Sequence, residues 1–283
     1  MPPKSAVSLR KINRQLRILH GRLFPGQILA PSFLIIGAAK AGTTSLYSYL
    51  CEHPAVLPAT QKEIGYFSYE YGRGWGYYLS FFPKRPRDQV IITGEASPNY
   101  MLHPLSALRA HHDLPNARII AILRNPVDRA YSQFQQTRAL GREPIGSFEE
   151  AIDQEPKRVD PELERLKHEQ NLKSFNVEQF SYLTRGMYFD QLQRWADLFP
   201  RTQILTLCAE EFYADTPAIM HTVQDFLGIP HFDLAKYVPQ DLKSEGRNYS
   251  PMSTQTRLRL VEYFRPHNEA LYAFVGKSFP WDK

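Results

Sequence analysis

At 283 residues, 43% of them hydrophobic, the chain is long enough to bury a large core and too short for more than about two domains. Its net charge of +5 suits an anionic cosubstrate or a polyanionic partner and is too mild to imply nucleic acid. No stretch of ~20 apolar residues reads as a membrane span. Cys51 and Cys208 lack metal-type spacing, which fits two buried thiols in a reducing compartment, a disulfide between them being the alternative.

Residues 1–30 form a basic arm carrying Lys4, Arg10, Lys11, Arg14, Arg17 and Arg22, with Ile12, Leu16, Leu19 and Leu23 on one helical face. The arm reads as a short amphipathic element lying on the domain, or as a peripheral contact with anionic lipid or polymer. The organising stretch follows at Phe33–Leu46. Four apolar residues predict a buried strand, Gly37 to Gly42 a small-residue turn holding Lys40, and Thr43 to Leu50 a helix. A strand, a tight turn and a helix N-terminus together make an anion site: the backbone approaches closely and first-turn amides point at the charge. Thr43, Thr44 and Ser45 add hydroxyls. Lys40 precedes Gly42, unlike the lysine of a Walker A loop, which argues against a nucleotide phosphotransferase.

His53 to Val56 predicts a helix stop and a short strand. Glu63, between Lys62 and Ile64-Gly65-Tyr66-Phe67, is a candidate general base; the plainer alternative is a surface Lys–Glu pair. The aromatic run Tyr69–Phe82 either stacks on a sugar or packs a lid. A strand over Val90–Thr93 leads into Gly94-Glu95-Ala96-Ser97, a strand tip of the kind where open α/β sheets bind ligands. Pro104 to His112 predicts a short helix. Ala117–Leu123 predicts a buried parallel strand ending in Arg124-Asn125-Pro126, with Pro126 starting a helix. Arg124 and Ser132 can converge on a second anion, unless Arg124 merely pairs with Asp128.

Residues 141–175 read as an inserted surface segment with short helices. Then come an amphipathic helix over Arg185–Phe199, a strand over Gln203–Cys208 and a helix over Pro217–Leu227 stopped by Gly228. A loop centred on Gly246-Arg247 follows, and a last helix from Ser253 that Pro266 interrupts before Ala270.

The motifs G-A-A-K-A-G-T-T (37–44), K-E-I-G-Y-F (62–67), G-E-A-S-P-N-Y (94–100), R-N-P-V-D-R-A-Y-S (124–132), R-G-M-Y (185–188), E-G-R-N (245–248) and V-G-K-S-F-P-W (275–281) occur in one order. In that order they resemble the PAPS-dependent sulfotransferases, in the carbohydrate branch that includes the heparan sulfate 3-O-sulfotransferases and the N-sulfotransferase domain. The resemblance runs from about Ser32 to Trp281. It implies an α/β, three-layer P-loop-like fold, a central parallel sheet flanked by helices, with residues 31–283 as the sulfotransferase domain. It further implies that Lys40, Ala41, Gly42, Thr43 and Thr44 hold the 5′-phosphosulfate of PAPS, that Arg124 and Ser132 bind its 3′-phosphate, and that Gly246, Arg247 and Asn248 close on it. Glu63 matches the family's proposed base, with Lys40 beside the leaving group and Lys62, Glu95 and Tyr66 toward the acceptor. The chemistry uses no metal, and PAP is the product.

Where relatives carry a histidine after the base and two further lysines, this chain has Gly65, Ala96 and Glu245, which weighs against a heavily sulfated acceptor. The expectation is a soluble, cytoplasmic, bacterial relative that sulfates a hydroxyl, or an amine, of a glycan. The alternatives are an alcohol of a lipid, polyketide or small molecule, and a non-catalytic polyanion-binding protein. Should Glu63 not be the base, Glu95, then His53 or His103, would follow.

Overall fold

The computed structural model of the protein describes residues 27–85, 91–170, 172–239 and 250–281. Most of the basic arm (1–26) and Gly246, Arg247 and Asn248 lie outside the described residues.

Five parallel strands form one sheet in the order β2-β3-β1-β4-β5. They are β1 (Phe33–Gly37), β2 (Val56–Pro58), β3 (Ile92–Ala96), β4 (Arg118–Leu123) and β5 (Ile204–Cys208). β1 is buried on both faces from end to end, which is why it reads as an unbroken apolar run. It pairs with β3 on one side (Phe33 opposite Gly94) and with β4 on the other (Phe33 opposite Arg118). The chain leaves β1 toward β2 on one side and leaves β4 toward β5 on the other. The gap between the carboxyl ends of β1 and β4 is therefore the topological switch point, where a parallel sheet opens a crevice.

Helix α1 (Thr43–Cys51) follows β1, and the short α2 (Trp75–Leu79) precedes β3. α3 (Ser106–Asp113) leads to β4, and α4 (Pro126–Ala139) leaves it. Pro126 stands in the first turn of α4, where the amide it lacks has no helical partner, and Asn125 Oδ1 caps the helix by accepting from the Val127 amide at 3.0 Å. The expected strand at Val90–Thr93 is displaced toward its tip. The aromatic run packs inward: Tyr77, Tyr78, Phe81 and Phe82 are buried in the sheet core.

Residues 141–175 are more than a surface segment. Helices α5 (Phe148–Asp153), α6 (Glu155–His168) and α7 (Phe175–Phe180) bury Phe148, Ile152, Val159, Leu166 and Val177 in a second core. Phe134 of α4 and Leu260 and Phe264 of α11 (Thr254–Val275) complete it. Next in the chain, α8 (Tyr188–Ala196) is shorter than the periodicity predicts, because Thr184–Gly186 forms a 3₁₀ turn in place of its first turn. Two further helices, α9 (Ala209–Ala214) and α10 (Thr216–Leu227), follow β5.

Pro266 does not interrupt α11, which is continuous. Pro266 and Glu262, whose carbonyl loses its helical donor to the proline, both lie on the exposed face of the helix. Phe264 and Leu271 anchor the opposite face on both sides of the proline.

Candidate active site

A cleft of about 780 Å³ opens at the switch point, within the usual size of a small-molecule site. Its floor is the turn between β1 and α1. Ala39, Lys40, Gly42, Thr43 and Thr44 line it. Gly42 takes φ +101, and a Cβ there would lie 2.6 Å from the Tyr213 hydroxyl, so only glycine lets the chain enter α1 at this angle. No side chain caps α1, which leaves its N-terminal amides and dipole to an anion. Lys40 also takes positive φ (+71), a conformation that costs a non-glycine residue on the order of 1 kcal/mol. Ala41 and Ser45 do not share the lining: Ala41 is 1% exposed with its amide on the Ala38 carbonyl at 3.2 Å, and Ser45 is fully buried.

The facing wall is the tip of β4 with α4. Arg124 donates from Nη1 to the Lys40 carbonyl at 3.2 Å, bridging the switch point and holding the strained turn. Asp128 is not its partner; Asp128 pairs with Arg257 of α11. Ser132 lies further along α4 on the same cleft. The turn after β4 is fixed from below. Glu210 of α9 accepts from the Asn125 amide at 2.9 Å and from the Trp281 indole at 2.9 Å, and the Tyr188 hydroxyl donates to the Arg124 carbonyl at 2.7 Å. Trp281, in the last of the seven motifs, is thus a buried brace for the turn that carries Arg124.

Glu63 lines the cleft from the β3 side, on a turn where it takes φ +57. The surface pair is present, and the residue also lines the cleft. Its carboxylate accepts from Lys62 Nζ at 2.6 Å as a surface pair, and with its side chain 58% exposed it also faces the cleft. Lys62 itself is not among the lining residues.

Two acceptor-side expectations are corrected. Glu95 is fully buried, its carboxylate taken up by Tyr78, Ser97 and Tyr100. Tyr66 is 2% exposed and stacks on Tyr78 with ring centroids 4.5 Å apart. Both point into the core, where Tyr78 of α2 stacks on Tyr66 and, with Tyr100, donates to Glu95. The two histidines are structural. His53 Nε2 donates to the Pro230 carbonyl at 2.8 Å while its Nδ1 accepts from the Ala55 amide, and buried His103 accepts at Nδ1 from the Leu105 amide. Burial, with Arg109 and Arg194 nearby, pushes the His103 pKa down to about 3.

The remaining wall contains residues that sequence reasoning passed over: Asn99, Gln133, Arg142, Glu178, Gln179, Arg185 and Tyr213. Arg185 stands in the R-G-M-Y motif, the signal that could have marked it. It is 3% exposed and donates from Nη2 to the Val177 and Glu178 carbonyls at 3.1 and 3.2 Å. Burial pushes its guanidinium pKa down, against the pull of Tyr69, Glu178, Glu155 and Glu63. Its loop is clamped by buried Glu155 of α6, which accepts from the Leu183 and Thr184 amides at 2.7 and 2.8 Å. Gln133 is set by Arg129 Nη1 at 2.7 Å and donates to the Gln179 carbonyl at 2.9 Å. Among the described residues, no cluster of His, Cys, Asp or Glu is arranged to hold a metal, and no helix is long and apolar enough to cross a membrane. Both cysteines are free thiols, with Cys51 pushed up to about 11 and Cys208 to about 12 by burial.

Comparison with known proteins agrees with this arrangement. A family profile described as Sulfotransferase domain matches residues 30–258. The chain is 33% identical over 275 residues to the human bifunctional heparan sulfate N-deacetylase/N-sulfotransferase 3, covering 87% of this chain but 30% of that protein. It is 28% identical over 323 residues to the membrane-associated sulfotransferase kil1 of Dictyostelium discoideum, covering 90% of this chain and 68% of that one. The crystal structure of a sulfotransferase from Alicyclobacillus acidocaldarius superposes with a TM-score of 0.71 at 28% identity, covering 90% of this chain and 99% of that chain.

Proposed function

The chain belongs to the sulfotransferase family, and from that premise we propose that it moves the sulfuryl group of PAPS to a carbohydrate hydroxyl by in-line displacement, with Glu63 as base. The observation that carries the reading is convergence. The Lys40 turn, the Arg124–Ser132 segment and Glu63 come from three separate stretches of the chain and line one cleft at the switch point.

In this reading the α1 N-terminus and the Thr43 and Thr44 hydroxyls receive the 5′-phosphosulfate, and Arg124 and Ser132 receive the 3′-phosphate. Ala41 contributes spacing in place of a contact. The acceptor oxygen attacks sulfur, the bond from sulfur to the bridging phosphate oxygen breaks, and PAP leaves. Glu63 takes the acceptor proton, and Lys40 stabilises the charge that collects on the bridging oxygen. Gly246, Arg247 and Asn248 are assigned to closure over the nucleotide by their motif alone.

The acceptor wall supports a glycan. Amides of Asn99, Gln133 and Gln179 suit sugar hydroxyls, and Glu63 and Glu178 disfavour a heavily sulfated chain. An amine is the second acceptor chemistry, since a 33% identical relative is named as an N-sulfotransferase. The test is transfer from radiolabelled PAPS across unsulfated glycans with and without free amines, lipid alcohols and phenols, with melting measured in PAP and in ADP. PAP should raise the melting temperature well above ADP at matched concentration, and label should enter a glycan. Equal shifts from PAP and ADP would remove the assignment of Arg124 and Ser132; label entering only phenols or lipid alcohols would remove the glycan.

A further inference from the structure

We propose that Glu95 is a positioning residue for sulfuryl transfer: its buried carboxylate fixes the turn that aims Glu63 across the cleft. This rests on the reading of Glu63 as base. The Glu63 side chain is 58% exposed and its carboxylate pairs with Lys62 at the surface, a weak tether. Its aim must come from its backbone, and that backbone is strained, with Glu63 at φ +57 and Gly65 at φ +68. Such a turn persists only where its surroundings over-determine it.

The tip of β3 does so residue by residue. The Glu63 amide donates to the Ala96 carbonyl at 3.0 Å, and the Gly65 amide to Ser97 Oγ at 3.1 Å. Ser97 passes its own proton to Glu95 Oε2 at 2.6 Å, while Tyr78 and Tyr100 each donate to Oε1 at 2.7 Å. One carboxylate thus receives the hydroxyls of Tyr78, Tyr100 and Ser97. Glu95, Ser97, Tyr78 and Tyr100 are all 1% exposed or less, and in such a dry site charge-assisted bonds are short and stiff. Burial pushes the Glu95 pKa up, and the Ser97, Tyr78, Tyr100 and Ile64 bonds pull it back. The network thereby ties the Gly65 amide through Ser97 to the buried carboxylate, while the Glu63 amide is held on the neighbouring Ala96 carbonyl.

A base displaced by about 1 Å loses on the order of 10²-fold in rate. The test is a double-mutant cycle. Ser97→Ala, which cuts only the link from the carboxylate to the Gly65 amide, and Glu95→Gln are each made in the wild type and on Glu63→Gln. Transfer from radiolabelled PAPS to an unsulfated, de-N-acetylated heparan oligosaccharide is measured beside PAP affinity. Hydrolysis of labelled PAPS, with water as acceptor, reads the same cycle if that oligosaccharide is not used. Ser97→Ala should fold where Glu95→Gln does not. The expected result is a 10- to 100-fold lower kcat with PAP affinity within a few-fold of wild type, and no further loss once Glu63 is already Gln. Equal losses on both backgrounds, or a Ser97→Ala enzyme with wild-type kcat, would overturn the positioning role. Wild-type turnover in Glu63→Gln alone is a different failure, that of the base.

Discussion

The two walls of the cleft are built in different ways. On the proposed donor side, the Lys40 turn and Arg124 stand at the tips of adjacent buried strands, with Glu210, Trp281 and Tyr188 bracing the turn that carries Arg124. On the acceptor side, Glu63, Gln133, Gln179 and Arg185 take their places from tethers between distant segments. Examples are Glu155 holding the Leu183–Thr184 amides, and Arg129 reaching Gln133 and the Tyr182 carbonyl. The difference is one of degree: an anion site can draw on backbone amides at a strand end and a helix start, which lie close in sequence. An acceptor wall needs side chains of chosen shape, which have to be held by a core; here α5, α6 and α7 supply the second one.

The largest effect that would sharpen this contrast is on Glu63. Glu63→Gln keeps the shape but cannot take a proton, so turnover should fall about 10²–10⁴-fold with PAP affinity unchanged. A parallel loss of PAP affinity would merge the two walls into one. Next is Lys40→Ala on the donor wall, expected to lower turnover about 10²–10³-fold while PAP binding falls less. Near-normal turnover would reduce Lys40 to a strained turn residue.

A smaller effect tests the fold between the walls. His103 stays neutral in the folded state, with a pKa near 3 against an ordinary 6.5, so the folded chain resists a proton that the unfolded chain accepts. Its contribution is complete above about pH 6.5 and is lost as pH falls toward about 3, by up to about 1.4 kcal/mol per pH unit. Chemical denaturation between pH 7 and pH 4 should show this slope in the wild type and a shallower one in His103→Gln; parallel slopes would mean that other groups govern acid unfolding. The smallest expected effect is that of Lys62→Ala. It removes an ion pair worth at most about 1 kcal/mol, so melting and turnover should stay within a few-fold of wild type. A loss matching that of Glu63→Gln would make Lys62 a partner in the chemistry.

Much of the donor wall was legible in the amino-acid sequence. The strand, turn and helix around Lys40 and the Arg124-Asn125-Pro126 punctuation are local sequence patterns, although the second turn is braced by Glu210, Trp281 and Tyr188 from far along the chain. The periodicity was less dependable where distant packing intervened. It placed a break at Pro266 that the buried faces of α11 override, and it began α8 at Arg185, which instead turns into the cleft.

The sequence by itself determined a parallel α/β sheet with a strand, turn and helix start at its switch point, because buried strands, small-residue turns and helix starts are written in short spacings. Only the tertiary structure decided that Glu95 and Tyr66 turn into the core while Glu63 faces the cleft. All of them stand beside apolar or aromatic neighbours. Which one meets solvent depends on the turn at Glu63 and Gly65 and on what Tyr78 and Tyr100 bring against it. Those contacts form only when the sheet is assembled.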